Sequence, residues 1–411
     1  MSLNLERVIK EMDNTFKIFP AERTYGVEYA IRDIVEASLE AKRAGKDLIC
    51  LNIGDPVKYG FKTPEHIVKA ACEALLNNLN SYSESTGISE AIEAIRGYAL
   101  KKGIKPVDIY ITQGASEAIE FAISALANPG DNILLPSPCY PLYQAIVAKF
   151  QIEPRFYYLD EEKDWEIEID SIEPLIDKRT KAIVLINPNN PTGAIYSKKT
   201  LEQILDIAER YHLVVLSDEI YDQFVLEEDL EHVSIAALTD EVPVITFNGL
   251  SKNYFAPGFR IGWGIVSGPE EMLKDYIEAI HKLARTRLCA SHPLQFAIPA
   301  ALNNENHYIK QVIFELRKRR DLLIDGINLI PMLSCVKPKG AFYAFPRFEI
   351  PGIQDLDFVK RLILEEGVVL VHGSGFGQKP NSQHFRIIFL PEESVIIKAL
   401  ERIERFVKKF L

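Results

Sequence analysis

The chain has 411 residues, 47% apolar and 26% charged, which excludes a chain disordered throughout and is enough to bury a large core. Its 58 acidic residues outnumber its 47 basic ones, giving a formal net charge of −11. Such a surface has no general field for nucleic acid or anionic lipid. No apolar run approaches the roughly 18 residues of a membrane-spanning helix.

Met1 to Lys17 mix charge with apolar residues and read as an arm rather than a secretory signal. A helix is expected over 31–44 and a short strand over 48–53. Strand-like runs follow at 109–113, 132–136, 155–158, 182–187, 213–217, 244–248 and 261–266. Helical patterns lie between several of them, at 116–127, 199–211 and 270–283. Strands alternating with helices predict a mostly parallel α/β sheet covered on both faces. Runs such as Ile183-Val184-Leu185-Ile186 are apolar in every position, as a strand buried on both faces requires.

The last hundred residues change character. A long charged helix (305–329) is followed by strands near 334–337 and 340–345, a helix (357–366), strands at 368–371 and 384–389, and a final helix (392–410). This reads as a smaller α+β lobe joined by the N-terminal segment. The expected division is residues 1–63, an arm and part of the small domain; 64–300, the large domain; and 301–411, the C-terminal small domain. The five cysteines (Cys50, Cys72, Cys139, Cys289, Cys335) are scattered and form no C-x-x-C. Reduced, mostly buried thiols in a cytoplasmic protein are expected.

Several chemistries lack their motif. There is no H-E-x-x-H, the eight histidines do not cluster, and no metal site is expected. The run Gly373-Ser374-Gly375-Phe376-Gly377 fails the dinucleotide fingerprint, because its third glycine position is Gln378.

What remains is polar runs just after four strands: Gly114-Ala115-Ser116; Asn187-Pro188-Asn189-Asn190-Pro191-Thr192-Gly193; Ser217-Asp218-Glu219-Ile220-Tyr221; and Asn248-Gly249-Leu250-Ser251-Lys252. In parallel strands all four crowd the carboxyl rim, where open α/β sheets bind ligands. Taken singly, Gly114-Ala115-Ser116 reads equally as a phosphate site or a simple N-cap, Asp218 equally as a partner for a ring nitrogen or an N-cap, Asn190 as a turn residue and Lys252 as a surface lysine. Taken together they offer an amine for a Schiff base, a carboxylate for a protonated ring nitrogen, and a helix mouth with Arg260 for a phosphate. Asn190 and Tyr221 add donors to a phenolic oxygen. Those are the needs of pyridoxal 5′-phosphate.

In that order and spacing these runs resemble the class I/II aminotransferases of the fold-type I pyridoxal-phosphate superfamily. The likeness extends from Asn52-Ile53-Gly54-Asp55-Pro56 to His384-Phe385-Arg386-Ile387. Phe247-Asn248-Gly249-Leu250-Ser251-Lys252 and Arg287-Leu288-Cys289-Ala290 look like the bacterial and archaeal alanine aminotransferases. The resemblance implies that the large domain holds the cofactor, bonded covalently to Lys252. Asp218 would keep the pyridine nitrogen protonated, Asn190 and Tyr221 would bond the phenolic oxygen, and Tyr140 would stack on the ring. Gly114, Ala115, Ser116, Ser251 and Arg260 would hold the phosphate, with Tyr82 reaching the phosphate of a neighbouring subunit in a homodimer. Gly54 and Asn190 would line the substrate site and Arg386 would fork onto the substrate α-carboxylate. Arg287, reaching over from the partner subunit, is a candidate for a distal carboxylate; the plainer reading is an interface salt bridge.

Two positions depart from the family pattern. Gly249 stands where many members carry a hydroxyl, and Tyr140 where the aspartate enzymes carry tryptophan. The implied reaction is ping-pong transamination between L-alanine and 2-oxoglutarate, giving pyruvate and L-glutamate, with Lys252 moving the proton at the substrate Cα. An aromatic or broad-specificity aminotransferase, a fold-type I lyase or decarboxylase, and a cofactor-sensing regulatory domain are the alternatives. The last would need a DNA-binding module for which the chain has no spare segment.

Overall fold

The structure is a computed structural model that describes residues 18–27, 34–304 and 307–411. Most of the expected N-terminal arm, and the start of the helix expected over 31–44, lie outside these; the described part of that helix is α1 (Val35–Arg43).

The first strand, β1 (Ile49–Cys50), pairs in parallel with β13 (Val368–Val369) from the C-terminal part of the chain. Between them lie α2 (Glu65–Leu76) and α3 (Ser89–Lys101), then β2 (Pro106–Thr112), α4 (Ala115–Leu126), β3 (Asn132–Ser137) and α5 (Pro141–Lys149). Next come β4 (Glu153–Asp160), β5 (Glu166–Ile167), β6 (Thr180–Ile186), α6 (Lys198–Tyr211), β7 (Val214–Asp218), β8 (Val244–Gly249), β9 (Gly262–Ser267) and α7 (Glu270–Arg287). Strands β2 to β9 form one eight-stranded sheet in the order β2-β9-β8-β7-β6-β3-β4-β5.

Strands β4, β3, β6, β7 and β8 run parallel. β9 lies antiparallel between β8 and β2, and β5 antiparallel at the other edge. β2 is therefore parallel to β8 across β9. The mostly parallel expectation holds, and the strand over 261–266 is the exception. The pleat sends successive side chains to opposite faces. Ala182, Val184 and Ile186 pack with Leu216, Ile245 and Phe247 against α4, α5 and α7; Ile183 and Leu185 pack with Val215 and Val244 on the other face. Burial on both faces is why these strands read as unbroken apolar runs.

Beyond α8 (His307–Leu329), the antiparallel pair β10 (Leu333–Ser334) and β12 (Arg347–Phe348) and the antiparallel trio β11 (Tyr343–Ala344), β15 (Phe385–Ile388) and β14 (Val371–His372) are covered by α9 (Asp355–Glu366) and α10 (Glu393–Val407). Their Phe348, Phe358 and Phe385 rings stack in the core between strands and helix. The thiols correct one expectation. All five cysteines are free, but only Cys139 and Cys335 are buried; Cys50 and Cys72 are exposed. Cys72 sits on the outer face of α2, whose inner face is Ile67, Ala71 and Ala74. Among the described residues no helix is long and apolar enough to cross a membrane.

Candidate active site

The parallel strands bring their carboxyl ends to one rim, and a cavity of about 250 Å³ opens there. It is lined by Ala115 and Ser116 after β2, Asn190 after β6, Asp218 and Tyr221 at and after β7, and Ser251 and Lys252 after β8. Arg260, just before antiparallel β9, reaches the same rim for the opposite reason: it enters at that strand's amino end. Gly54, Tyr140 and Arg386 line it as well.

The helix mouth is built by close approach. Gly114 takes φ 78, and a Cβ there would lie 2.5 Å from Arg260 Nη2. A Cβ on Gly262 would lie 2.2 Å from the Ala115 amide nitrogen. Both glycines let β9 and Arg260 press against the first turn of α4, whose Ala115 and Ser116 amides have no acceptor within the helix. Arg260 donates to the carbonyls of Pro257 (3.1 Å) and Gln113 (3.5 Å), not to a carboxylate. Exposed N–H groups, a helix dipole and a guanidinium make an anion site.

Asp218 is buried at the end of β7. Its Oδ1 accepts from the Ile220 amide (3.2 Å) and its Oδ2 from the Tyr143 hydroxyl (3.1 Å). Burial raises its pKa from 3.8 to about 6; the two hydrogen bonds and the charge of Lys252 oppose that rise only in part. The carboxylate thus lacks a close cation. Lys252 Nζ donates to the Gly54 carbonyl (2.6 Å). The Tyr221 and Tyr343 hydroxyls share a hydrogen bond of 2.8 Å, and burial raises the Tyr221 phenol far above its usual range.

Arg386, on β15, is 3% exposed and pairs with no carboxylate among the described residues. Nη1 donates to Asn190 Oδ1 (3.1 Å) and Nη2 to the Asn52 carbonyl (2.6 Å), while Nε is buried with no acceptor. The guanidinium lies over the rings of Tyr343 (4.6 Å to the ring centre) and Phe376 (4.7 Å). A buried guanidinium with a spare donor is costly unless an anion joins it.

The family model "Aminotransferase class I and II" matches residues 46–403. The chain belongs to the class I and II aminotransferases. Within that family it is 40% identical over 408 residues to the glutamate-pyruvate aminotransferase AlaA of Haemophilus influenzae, covering 96% of this chain and 99% of that one. It is 39% identical to an alanine aminotransferase of Mycobacterium bovis, covering 93% and 91% of the two chains. Among solved structures, an alanine aminotransferase from Pyrococcus furiosus superposes with a TM-score of 0.92 at 44% identity, covering 95% of this chain and all of that one (100%). An aspartate aminotransferase of Thermus thermophilus superposes at 0.86 with 29% identity, over 95% of this chain and 100% of that one.

Three expected residues of this aminotransferase lie outside its cavity. Gly114 sits one residue before the lining, as the turn that opens α4. Tyr82 is 79% exposed and is not among the lining residues. Arg287, at the end of α7, donates to the Ile111 carbonyl (3.0 Å) and faces Glu117 Oε2 (3.4 Å). The Gly249 departure has a local cause: a Cβ there would lie 2.7 Å from the Ile261 carbonyl, because β8 and β9 pair at Gly249 and Gly262. Sequence reasoning missed Tyr143, which holds Asp218 from α5, and Tyr343, which lines the cavity from β11. The run Gly340–Phe345 reads only as a strand; nothing local ties it to Lys252.

Proposed function

We propose that this chain is an alanine transaminase that uses pyridoxal 5′-phosphate to move an amino group between L-alanine and 2-oxoglutarate, giving pyruvate and L-glutamate. The observation that carries this reading is the company Lys252 keeps. One cavity holds a primary amine, a buried carboxylate short of a cation, a helix mouth with a free-facing arginine, and a buried guanidinium short of an anion. That donor set fits the cofactor: Asp218 suits a protonated ring nitrogen, and the mouth of α4 with Arg260 suits a dianionic phosphate. The missing side chain at Gly114 leaves the room that a Cβ would take from Arg260. Bound there, the cofactor supplies a carbonyl for the substrate amine and a cationic ring that withdraws the electron pair left at the substrate Cα.

The chain's own residues do the rest. Ala115, Ser116, Ser251 and Arg260 hold the phosphate; Tyr140 stacks on the ring; Asn190 and Tyr221 donate to the phenolic oxygen. Asp218 keeps a proton on the ring nitrogen, and that cation in turn relieves the cost of burying its carboxylate. Lys252 Nζ would take the proton from the substrate Cα as a general base and, as a general acid, deliver it on the same face to the carbon of the cofactor's carbonyl group. Arg386 forks onto the α-carboxylate, with Asn190 and the Asn52 carbonyl fixing the plane of its guanidinium.

The reading includes a homodimer in the cytoplasm, with the division into domains given above. Tyr82 supports the dimer: it is 79% exposed and does not line its own cavity. Arg287 from the partner would meet the distal carboxylate of glutamate. The alanine assignment is supported by the names of relatives that match nearly end to end. The test is purified protein with the cofactor, alanine and 2-oxoglutarate, with pyruvate followed by a dehydrogenase-coupled loss of NADH. Steady pyruvate release is expected, and alanine and glutamate should each bleach the yellow protein alone. Release of ammonia or carbon dioxide in place of L-glutamate would overturn the assignment.

A further inference from the structure

We propose that Tyr343 is a positioning residue of this site: its hydroxyl donates to Tyr221 and thereby turns the single Tyr221 proton toward the cavity. The inference rests on the cofactor reading above and adds a residue to it.

The two hydroxyls are 2.8 Å apart, and both side chains are 3% exposed. Their rings meet edge to face at 88°. They share one hydrogen bond, so its direction decides where the Tyr221 proton points. If Tyr221 donates to Tyr343, its proton is used up within the protein. If Tyr343 donates, the Tyr221 proton is left for an acceptor in the cavity.

The charges around the pair set the direction. The Arg386 guanidinium lies 4.6 Å from the Tyr343 ring, and a cation there makes that phenol the better donor. Tyr221 faces Asp218 and Tyr140; burial first, and after it the neighbouring Tyr343, Tyr140 and Asp218, make its phenol the poorer acid. Lys252 and Arg260 also line the cavity, with Lys252 Nζ held by the Gly54 carbonyl. The bond therefore runs from the tyrosine beside the cation to the tyrosine beside the anion. Gly54 explains how the Tyr343 hydroxyl fits: a Cβ on Gly54 would stand 2.0 Å from it. The residue whose carbonyl holds Lys252 thus also leaves the space for Tyr343.

Tyr343→Phe removes the hydroxyl and keeps the ring on Arg386. Loss of one hydrogen bond to Tyr221 should weaken Tyr221's hold on a phenolate oxygen. In the cofactor-loaded variant the pH midpoint of the visible absorbance change should rise by about half a unit to one unit. Turnover should fall about 3- to 10-fold, with KM for alanine and 2-oxoglutarate unchanged. Tyr343→Leu also removes the ring from Arg386 and should raise KM for both substrates. An unmoved midpoint and unchanged kcat in Tyr343→Phe would overturn the proposal, as would a KM rise matching the loss in kcat. Borohydride labelling separates the two levels. Lys252 labelled in both proteins with an unmoved midpoint removes Tyr343 alone; Lys252 unlabelled in both removes the cofactor reading and this proposal with it.

Discussion

Replacing Asp218 by Asn should stabilise the cofactor-free protein while disabling the loaded one. Burial holds the Asp218 carboxyl at about 6 instead of 3.8. Because the folded acid keeps a proton that the unfolded one releases between about pH 4 and 6, stability falls with rising pH across that window and is level above it. Two pKa units correspond to about 3 kcal/mol at neutral pH. Asparagine carries no charge and can still accept from the Ile220 amide. Urea unfolding of cofactor-free protein should therefore show Asp218→Asn more stable than wild type at pH 8, by up to about 3 kcal/mol, with the gap closing toward pH 4. Adding pyridoxal phosphate should reverse the order, since only the carboxylate gains from a cationic ring nitrogen, and turnover of the variant should fall by at least about a hundredfold. A cofactor-free Asp218→Asn less stable than wild type at pH 8 would refute the argument that the carboxylate lacks a partner.

Arg386→Lys keeps the charge and loses the planar fork, so KM for alanine and 2-oxoglutarate should rise together by about 10- to 100-fold, as steady-state kinetics would register. Gly114→Ala forces φ 78 on a residue with a Cβ and brings that atom within 2.5 Å of Arg260 Nη2; absorbance titration should show cofactor affinity reduced about tenfold or more, and undiminished affinity would remove Gly114 from the phosphate site. Arg287→Ala should raise KM for glutamate much more than for alanine. Equal effects would leave Arg287 with its partners in its own chain, the Ser85 and Ile111 carbonyls and Glu117.

Much of the large sheet was legible because its chemistry is written in short contiguous runs. Strands β6, β7 and β8 each end in a polar segment of a type that apolar strands do not need for themselves, and parallel pairing does the rest. The exception is β9. Its insertion between β2 and β8 depends on glycines that admit a neighbour: a Cβ on Gly264 would lie 2.3 Å from the Tyr110 ring. Isolated glycines in a strand report a close approach without saying to what. Helices α2, α3 and α5 went unread for a related reason. Pro141 opens α5 at its first turn, where proline is tolerated, yet in sequence it looks like a break. Tyr143 and Tyr343 were missed with the elements that carry them, for their partners Asp218 and Tyr221 lie far along the chain.

The account depends on Lys252 as the covalent anchor of the cofactor, and a direct measurement addresses that bond. Protein loaded with pyridoxal phosphate is reduced with borohydride, digested and mapped by mass spectrometry. The pyridoxyl adduct is expected on the peptide containing Lys252, stoichiometric with the chain, and absent when alanine is added first. An adduct on another lysine, with residue 252 unmodified, would contradict the account.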